Sequence, residues 1–163
     1  MNSDVDSSVI RLATESDAAD IAKVLYESFR EYESQYTPEG FAATTPSPAE
    51  VLTRLQEGPI WVVSIDNTLV ATVSVVKKNE SLYVRGMAVL PQARGLRIGE
   101  RLLDSITQYA LEQGCRRLFL STTPFLYGAI RLYERFGFRR IAEGPHDLHY
   151  TPLFSMEKIV NDR

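Results

Sequence analysis

The period of hydrophobic and polar positions changes several times along the chain, and each change marks an element. Residues 9–13, Val-Ile-Arg-Leu-Ala, predict a short strand behind a polar tail, residues 1–8. Ile21, Leu25 and Phe29 recur four apart behind Ser16 and Asp17, both helix-capping residue types. They predict an amphipathic helix from Ala18 that frays near Tyr36. Residues 36–45 mix Thr, Pro, Gly and Ala without a period and predict a loop over a site. Ser47-Pro48-Ala49-Glu50 combines a capping box with proline at the first helical position. It predicts a second helix with Val51, Leu52 and Leu55 inward and Gly58 as its stop. Two β-rich runs, 60–65 and 69–76, flank Asp66-Asn67, a pair that tolerates left-handed turn geometry, and predict an antiparallel hairpin. A third run, 82–89, extends the meander. Ile98, Leu102, Leu103, Ile106 and Ala110 predict a long helix closing at Gly114, followed by a buried strand over 117–121. Strand, helix and strand imply a right-handed crossover. Thr123-Pro124 predicts a last helix start, with Ala129, Ile130, Tyr133 and Phe136 on its apolar side and Gly137 as its stop. Strands over 138–142 and 153–159 complete the pattern. The sum is an α+β fold around one mixed sheet.

At 163 residues and 44% hydrophobic content, the chain suffices for one core, so a single domain over 9–163 is expected. A net charge of -3 gives no global basic field, and nucleic-acid binding is not expected. Cys115 is alone, so no internal disulfide forms, and burial is its expected state. The first residues carry no signal-peptide pattern, and no run approaches the roughly 18 apolar residues of a membrane span, which makes a cytoplasmic location the expectation. A homodimer is expected on commonness alone.

The chemistry concentrates in one stretch, V-R-G-M-A-V-L-P-Q-A-R-G-L-R-I-G-E-R-L-L, a strand, a short turn, then Gly95 and Gly99 opening a helix. A helix N-terminus exposes unpaired N–H groups and a partial positive charge, and glycine removes the Cβ atoms that would hold a phosphate off. Arg94, Arg97 and Arg101 add three guanidinium groups suited to a pyrophosphate or ribose phosphate. The same residues also fit a plain glycine turn with solvated arginines. No Gly-Lys-Ser/Thr closes the turn and no Gly-x-Gly-x-x-Gly follows a first strand, which disfavours ATP and NAD.

Together with A-I-R-L-Y-E-R-F-G-F from Ala129, this stretch resembles motifs A and B of the GCN5-related N-acetyltransferase (GNAT) family. The resemblance implies that family's fold, with helices on both faces of a largely antiparallel sheet, and acetyl-CoA as co-substrate without a metal. Its motif Gln/Arg-x-x-Gly-x-Gly/Ala falls on Arg94, Arg97 and Gly99. The implied cofactor set is Met87, Ala88, Val89, Arg94, Gly95, Leu96, Arg97, Ile98, Gly99, Glu100, Leu126 and Ala129. The main chain of Met87 and Val89 would bind the pantetheine arm like an added strand. Arg97 stands where the family has glycine, so its backbone is expected to avoid strongly positive φ. Leu126 replaces a common asparagine, which would make its contact apolar. Tyr133 matches a tyrosine that protonates the departing CoA thiolate, and its ordinary pKa of about 10 keeps a phenol protonated at neutral pH. The glutamate base of histone-modifying relatives is matched by Tyr83. Glu27, Glu80, His146, Asp147 and His149 are base candidates by side-chain chemistry alone, and His146-Asp147-x-His149 without a second cluster does not predict a metal site. Direct transfer to an amine is the expected reaction, and a non-catalytic acyl-CoA sensor on the same fold is the alternative. Tyr32, Tyr36, Phe41, Tyr127 and Tyr150 could wall the acceptor, and Glu27, Glu31 and Glu33 could attract it.

Overall fold

The structure is a computed structural model that describes residues 7–161. The expected tail, residues 1–8, falls mostly outside them, and Ser8 proves to be a buried member of the first strand. The elements are β1 (Ser8–Leu12), α1 (Ala18–Phe29), α2 (Pro38–Thr44), α3 (Pro48–Glu57), β2 (Ile60–Ile65), β3 (Thr68–Lys78), β4 (Ser81–Val89), α4 (Ile98–Glu112), β5 (Arg117–Thr122), α5 (Tyr127–Phe136), β6 (Arg139–Ile141), β7 (Asp147–Leu148), β8 (Thr151–Pro152) and β9 (Phe154–Ile159).

Seven strands form one sheet in the order β1-β2-β3-β4-β5-β9-β6. Every pair is antiparallel except β4 with β5, the two strands joined through α4. Asp66 and Asn67 turn the β2–β3 hairpin with φ of 51° and 65°, the left-handed pair the sequence predicts. Residues 70–75 of β3 are all buried, so both sheet faces are covered, and α1 and α4 each pack on β3 and β4. The apolar side chains of both layers, from Ile21 and Leu25 to Leu102 and Ile106, join one buried cluster.

Five local expectations need correction. Asp17 does not cap α1 with its side chain. The carboxylate turns back to accept from the Thr14 N–H at 2.8 Å and from Arg11 at 2.8 and 2.9 Å, tying β1 to the helix start. The helix then tightens after Phe29 into a 3-10 segment, Arg30–Gln35. Residues 36–45 are not a loop, because Thr37 caps α2 and Pro38 supplies its preset φ. Thr37 also meets the β7–β8 ribbon, its N–H donating to Thr151 Oγ1 at 2.9 Å and its hydroxyl to His149 O at 2.7 Å. Helix α3 starts at the Ser47 capping box as predicted, which is worth about 1 kcal/mol, but Leu52 is exposed and only Val51 is fully buried. Last, α5 begins three residues beyond Thr123-Pro124, whose turn is closed by Leu126 N–H on Thr123 O.

Candidate active site

The β4–β5 pairing sets the site. It runs only from Ser81 with Arg117 to Tyr83 with Phe119, so the later residues of the two strands diverge and leave a wedge. On its other side β4 carries a bulge, with Gly86 and Met87 together facing Val73 and Gly86 at φ +58°. Leu90 N–H bonds Val70 O at 2.8 Å and Ala88 pairs with Thr72, so antiparallel alternation turns the main-chain groups of Met87 and Val89 toward the wedge.

Beyond β4 a 3-10 turn, Pro91–Ala93, leads to the start of α4. Among the described residues, the six consecutive amides from Gly95 to Glu100 have no hydrogen-bond acceptor in the protein. The first helical amides lack one by geometry, and the turn before them adds three more. Arg97 adopts φ 61° and ψ 21°, the left-handed region. The expectation that its backbone would avoid this region is wrong, and the left-handed conformation costs about 1 kcal/mol. Gly95, at φ +86°, has open space where a Cβ would stand. Gly99 does not, since its Cβ would meet Leu132 Cδ2 at 2.6 Å. Glycine at 99 therefore admits helix α5, and only Gly95 leaves room outward.

The three arginines also divide. Arg94 donates from Nε to Val89 O at 3.1 Å and from Nη2 to Ser28 O at 3.2 Å, and its Nη1 pairs with Glu31 at 2.8 Å, so it braces α1 against β4. Arg101 bonds Ser8 Oγ. Arg97 is exposed and, among the described residues, has no partner. Ser28, Glu31 and Ser8 lie far off in sequence from Arg94 and Arg101, so spacing alone does not reveal these partners.

A cavity of about 580 Å³ joins wedge and turn. Met87, Ala88, Val89, Arg94, Gly95, Arg97, Ile98, Gly99, Glu100, Leu126, Ala129 and Tyr133 all line it, whereas Leu96 does not. Tyr133 is buried against Phe138, at 5.7 Å between ring centroids. Burial first, and Tyr36 second, raise its phenol well above the ordinary tyrosine value. Tyr36 and Tyr83 line the same cavity, and burial raises both phenols. Of the proposed aromatic wall, Tyr32 and Tyr36 lie on the cavity. Phe41 is core behind Tyr36, and Tyr127 and Tyr150 are exposed elsewhere. None of Glu27, Glu80, His146, Asp147 and His149 reaches the lining, nor do Glu31 and Glu33. Its charged residues are Arg54, Arg85, Arg94, Arg97 and Arg135 with one carboxylate, Glu100. Arg54 and Arg85 carry no sequence signal of a site, because α3 and β4 meet only through the fold. Cys115 is buried as expected, and burial raises its thiol.

The Acetyltransferase (GNAT) family model matches residues 21–138. The Uncharacterized N-acetyltransferase YjgM of Escherichia coli (strain K12) is 30% identical over 142 residues, which are 83% of this chain and 84% of that one. The chain belongs to the acetyltransferase (GNAT) family. Its reaction class is acetyl transfer to nitrogen, and the family's co-substrate is acetyl-CoA. The GNAT fold recurs in the PaiA N-acetyltransferase of Thermoplasma acidophilum, solved in complex with coenzyme A. That structure has a TM-score of 0.82 at 18% identity, covering 94% of this chain and 99% of its own. The acetyltransferase yncA of Salmonella typhimurium, solved with acetyl-CoA, has a TM-score of 0.74 at 18% identity and covers 96% of each chain. Among the described residues, no helix of this GNAT member is long and apolar enough to cross a membrane.

Proposed function

We propose that this GNAT member passes the acetyl group of acetyl-CoA directly to an amine in the same cavity, with Tyr133 as the acid for the CoA sulfur. The observation that carries the reading is the row of six unpartnered amides from Gly95 to Glu100, opening onto a wedge that ends at a buried phenol. Orphaned donors at a helix N-terminus suit a diphosphate, and the open space at Gly95 lets one approach. Acetyl-CoA supplies the thioester; the residues of this chain do the rest. Met87 and Val89 offer main-chain groups to the pantetheine arm and N–H donors to the carbonyl oxygen. Leu126 and Ala129 give that arm an apolar side. As the new N–C bond forms and the C–S bond breaks, the Tyr133 phenol gives its proton to sulfur. Water carries the surplus proton of nitrogen back to the phenolate.

The missing base fits the same site. A cavity lined by five arginines and one carboxylate disfavours an ammonium, so the amine enters neutral and needs no dedicated carboxylate to deprotonate it. Proximity and main-chain stabilisation of the oxyanion supply most of the rate.

The test is Tyr133→Phe, assayed by CoA release and by calorimetric titration with acetyl-CoA. Turnover should fall about 100-fold or more while affinity for acetyl-CoA holds. Unaltered turnover would remove the acid role. Tight acetyl-CoA binding with no acetylation of any amine would instead make the chain a sensor.

A further inference from the structure

Arg54 is a half-buried guanidinium that the transfer chemistry leaves unused. It projects from α3 into the cavity beside Tyr83 and Gly86, and its Nη2 donates to Ala43 O at 3.2 Å. Its Nη1 lies 3.1 Å from where a Cβ on Gly86 would stand, so it reaches over the β4 bulge next to Met87. The two carboxylates on its own helix are engaged elsewhere. Glu57 pairs with Arg85, and Glu50 closes the Ser47 capping box. Arg54 therefore has no ion-pair partner among the described residues. Burial and the neighbouring Arg85 both lower its pKa, the mark of a cation held against its preference. Arg85 lines the same corner, with its Nε buried and lacking an acceptor although its Nη2 meets Glu57.

Two arginines with one shared carboxylate leave a surplus positive charge at this corner, together with an unfilled Arg85 Nε. The only carboxylate on the cavity lining, Glu100, belongs to the opposite, amide-rich end. A buried donor without an acceptor, as at Arg85 Nε, beside a half-buried cation without an ion-pair partner, as at Arg54, is costly unless a ligand completes it. A planar guanidinium matches a carboxylate oxygen for oxygen. We infer that Arg54, backed by Arg85, forms a carboxylate subsite, and that the acceptor is a small amine carrying its own carboxylate, an amino acid or close derivative. This rests on the acetyl-transfer reading above. The spacing suits it: Arg54 sits over Gly86, one residue from Met87, so amine and carboxylate are separated by only a few bonds. Tyr32, Tyr36 and Leu153 leave a largely apolar wall for the acceptor's side chain. A polyamine has nothing to offer this corner and is repelled by it.

Products report the subsite without turnover. The CoA-loaded protein is titrated calorimetrically with a panel of N-acetyl-L-amino acids and with the corresponding primary amides, which lack only the charge. The best acids should bind about 10- to 100-fold more tightly than their amides, the range of a charge-assisted pair. The same ratio should emerge in kcat/KM for free amino acids against amino-acid amides. Arg54→Gln should bring the acid-to-amide ratio close to one, and Arg54→Lys should restore part of it. Amides binding as tightly as acids in the wild-type protein, or polyamines outperforming every amino acid as acceptors, would overturn the subsite. If CoA itself fails to saturate the protein, the transfer reading falls. If CoA saturates and the ratio is near one, the subsite falls alone.

Discussion

Asp17→Asn tests how the first helix is anchored to the sheet, because Asp17 ties β1 to the start of α1. Asparagine keeps an oxygen for the Thr14 N–H and removes the charge facing Arg11 together with the acceptor of its Nη2. The Arg11 hydrogen bonds, opposed by burial and helped by Thr14, hold the Asp17 carboxyl down at about 2. Against an ordinary value of 3.8, at about 1.4 kcal/mol per pH unit, the linkage is worth up to about 2.4 kcal/mol. The Arg11 side chain is 45% exposed, so solvent screening reduces that to about 1 to 1.5 kcal/mol. A depressed folded pKa means that this stability is fully present above pH 4 and is lost as pH falls through 2. Urea unfolding of both proteins at a series of pH values measures it. The wild type should lead by about 1 to 1.5 kcal/mol at pH 7, and the gap should close between pH 4 and pH 2. A gap that persists at pH 2 would assign the effect to packing, and no gap at pH 7 would refute the pairing as a stabilising contact.

Tyr133, with its phenol raised by burial, stays protonated across the working range, so kcat should show no alkaline fall from its ionisation below about pH 10 in a pH–rate profile. Glu157→Gln should cost about 2 to 3 kcal/mol by urea unfolding. The buried carboxylate accepts from Arg117 and Arg139 at 2.8 Å each, and the amide leaves the Arg117 charge less well paired. Arg94→Ala should shift stability by less than about 1 kcal/mol, since its ion pair with Glu31 is 41% and 45% exposed. Its affinity for CoA should fall less than about 10-fold by calorimetry, because the side chain is already engaged by Val89 O, Ser28 O and Glu31. Gly99→Ala should weaken the packing of α5 on α4 by about 1 to 3 kcal/mol, and Leu132→Ala in the same chain should relieve that strain in thermal unfolding.

Most of the fold was legible because its elements are long enough for a period to show. The β2–β3 hairpin, the Ser47 capping box and the stripe of α4 each agree between pattern and structure. Helix α2 was missed although Thr37-Pro38 is a helix start in plain view. Seven residues with only Gly40 and Phe41 buried cannot display a stripe, and the bond from Thr37 to Thr151 spans most of the chain. Strands β7 and β8 have two residues each, too few for alternation. Around Arg94 the sequence shows the neighbours and hides Glu31, its distant partner. Arg54 read as nothing, since a lone arginine on a helix is ordinarily solvated, and only the bulge at Gly86 brings the strand beneath it.

That bulge lies where the acyl-donor and acceptor ends proposed for the cavity would adjoin. The β4–β5 pairing ends at Tyr83, which leaves the main-chain groups of Met87 and Val89 unpaired with β5. Inserting one residue opposite Val73 bends the strand, and only a residue at ease with φ +58° can sit there at little cost. Glycine at 86 then has a second effect, since the absence of a side chain leaves room for the Arg54 guanidinium above it. On the proposed reading, one backbone irregularity thus serves the thioester on one side and admits a cation on the other. Any larger residue at 86 would strain the bend and displace Arg54 together, so on the proposed reading donor binding and acceptor recognition would be coupled through a single Cα.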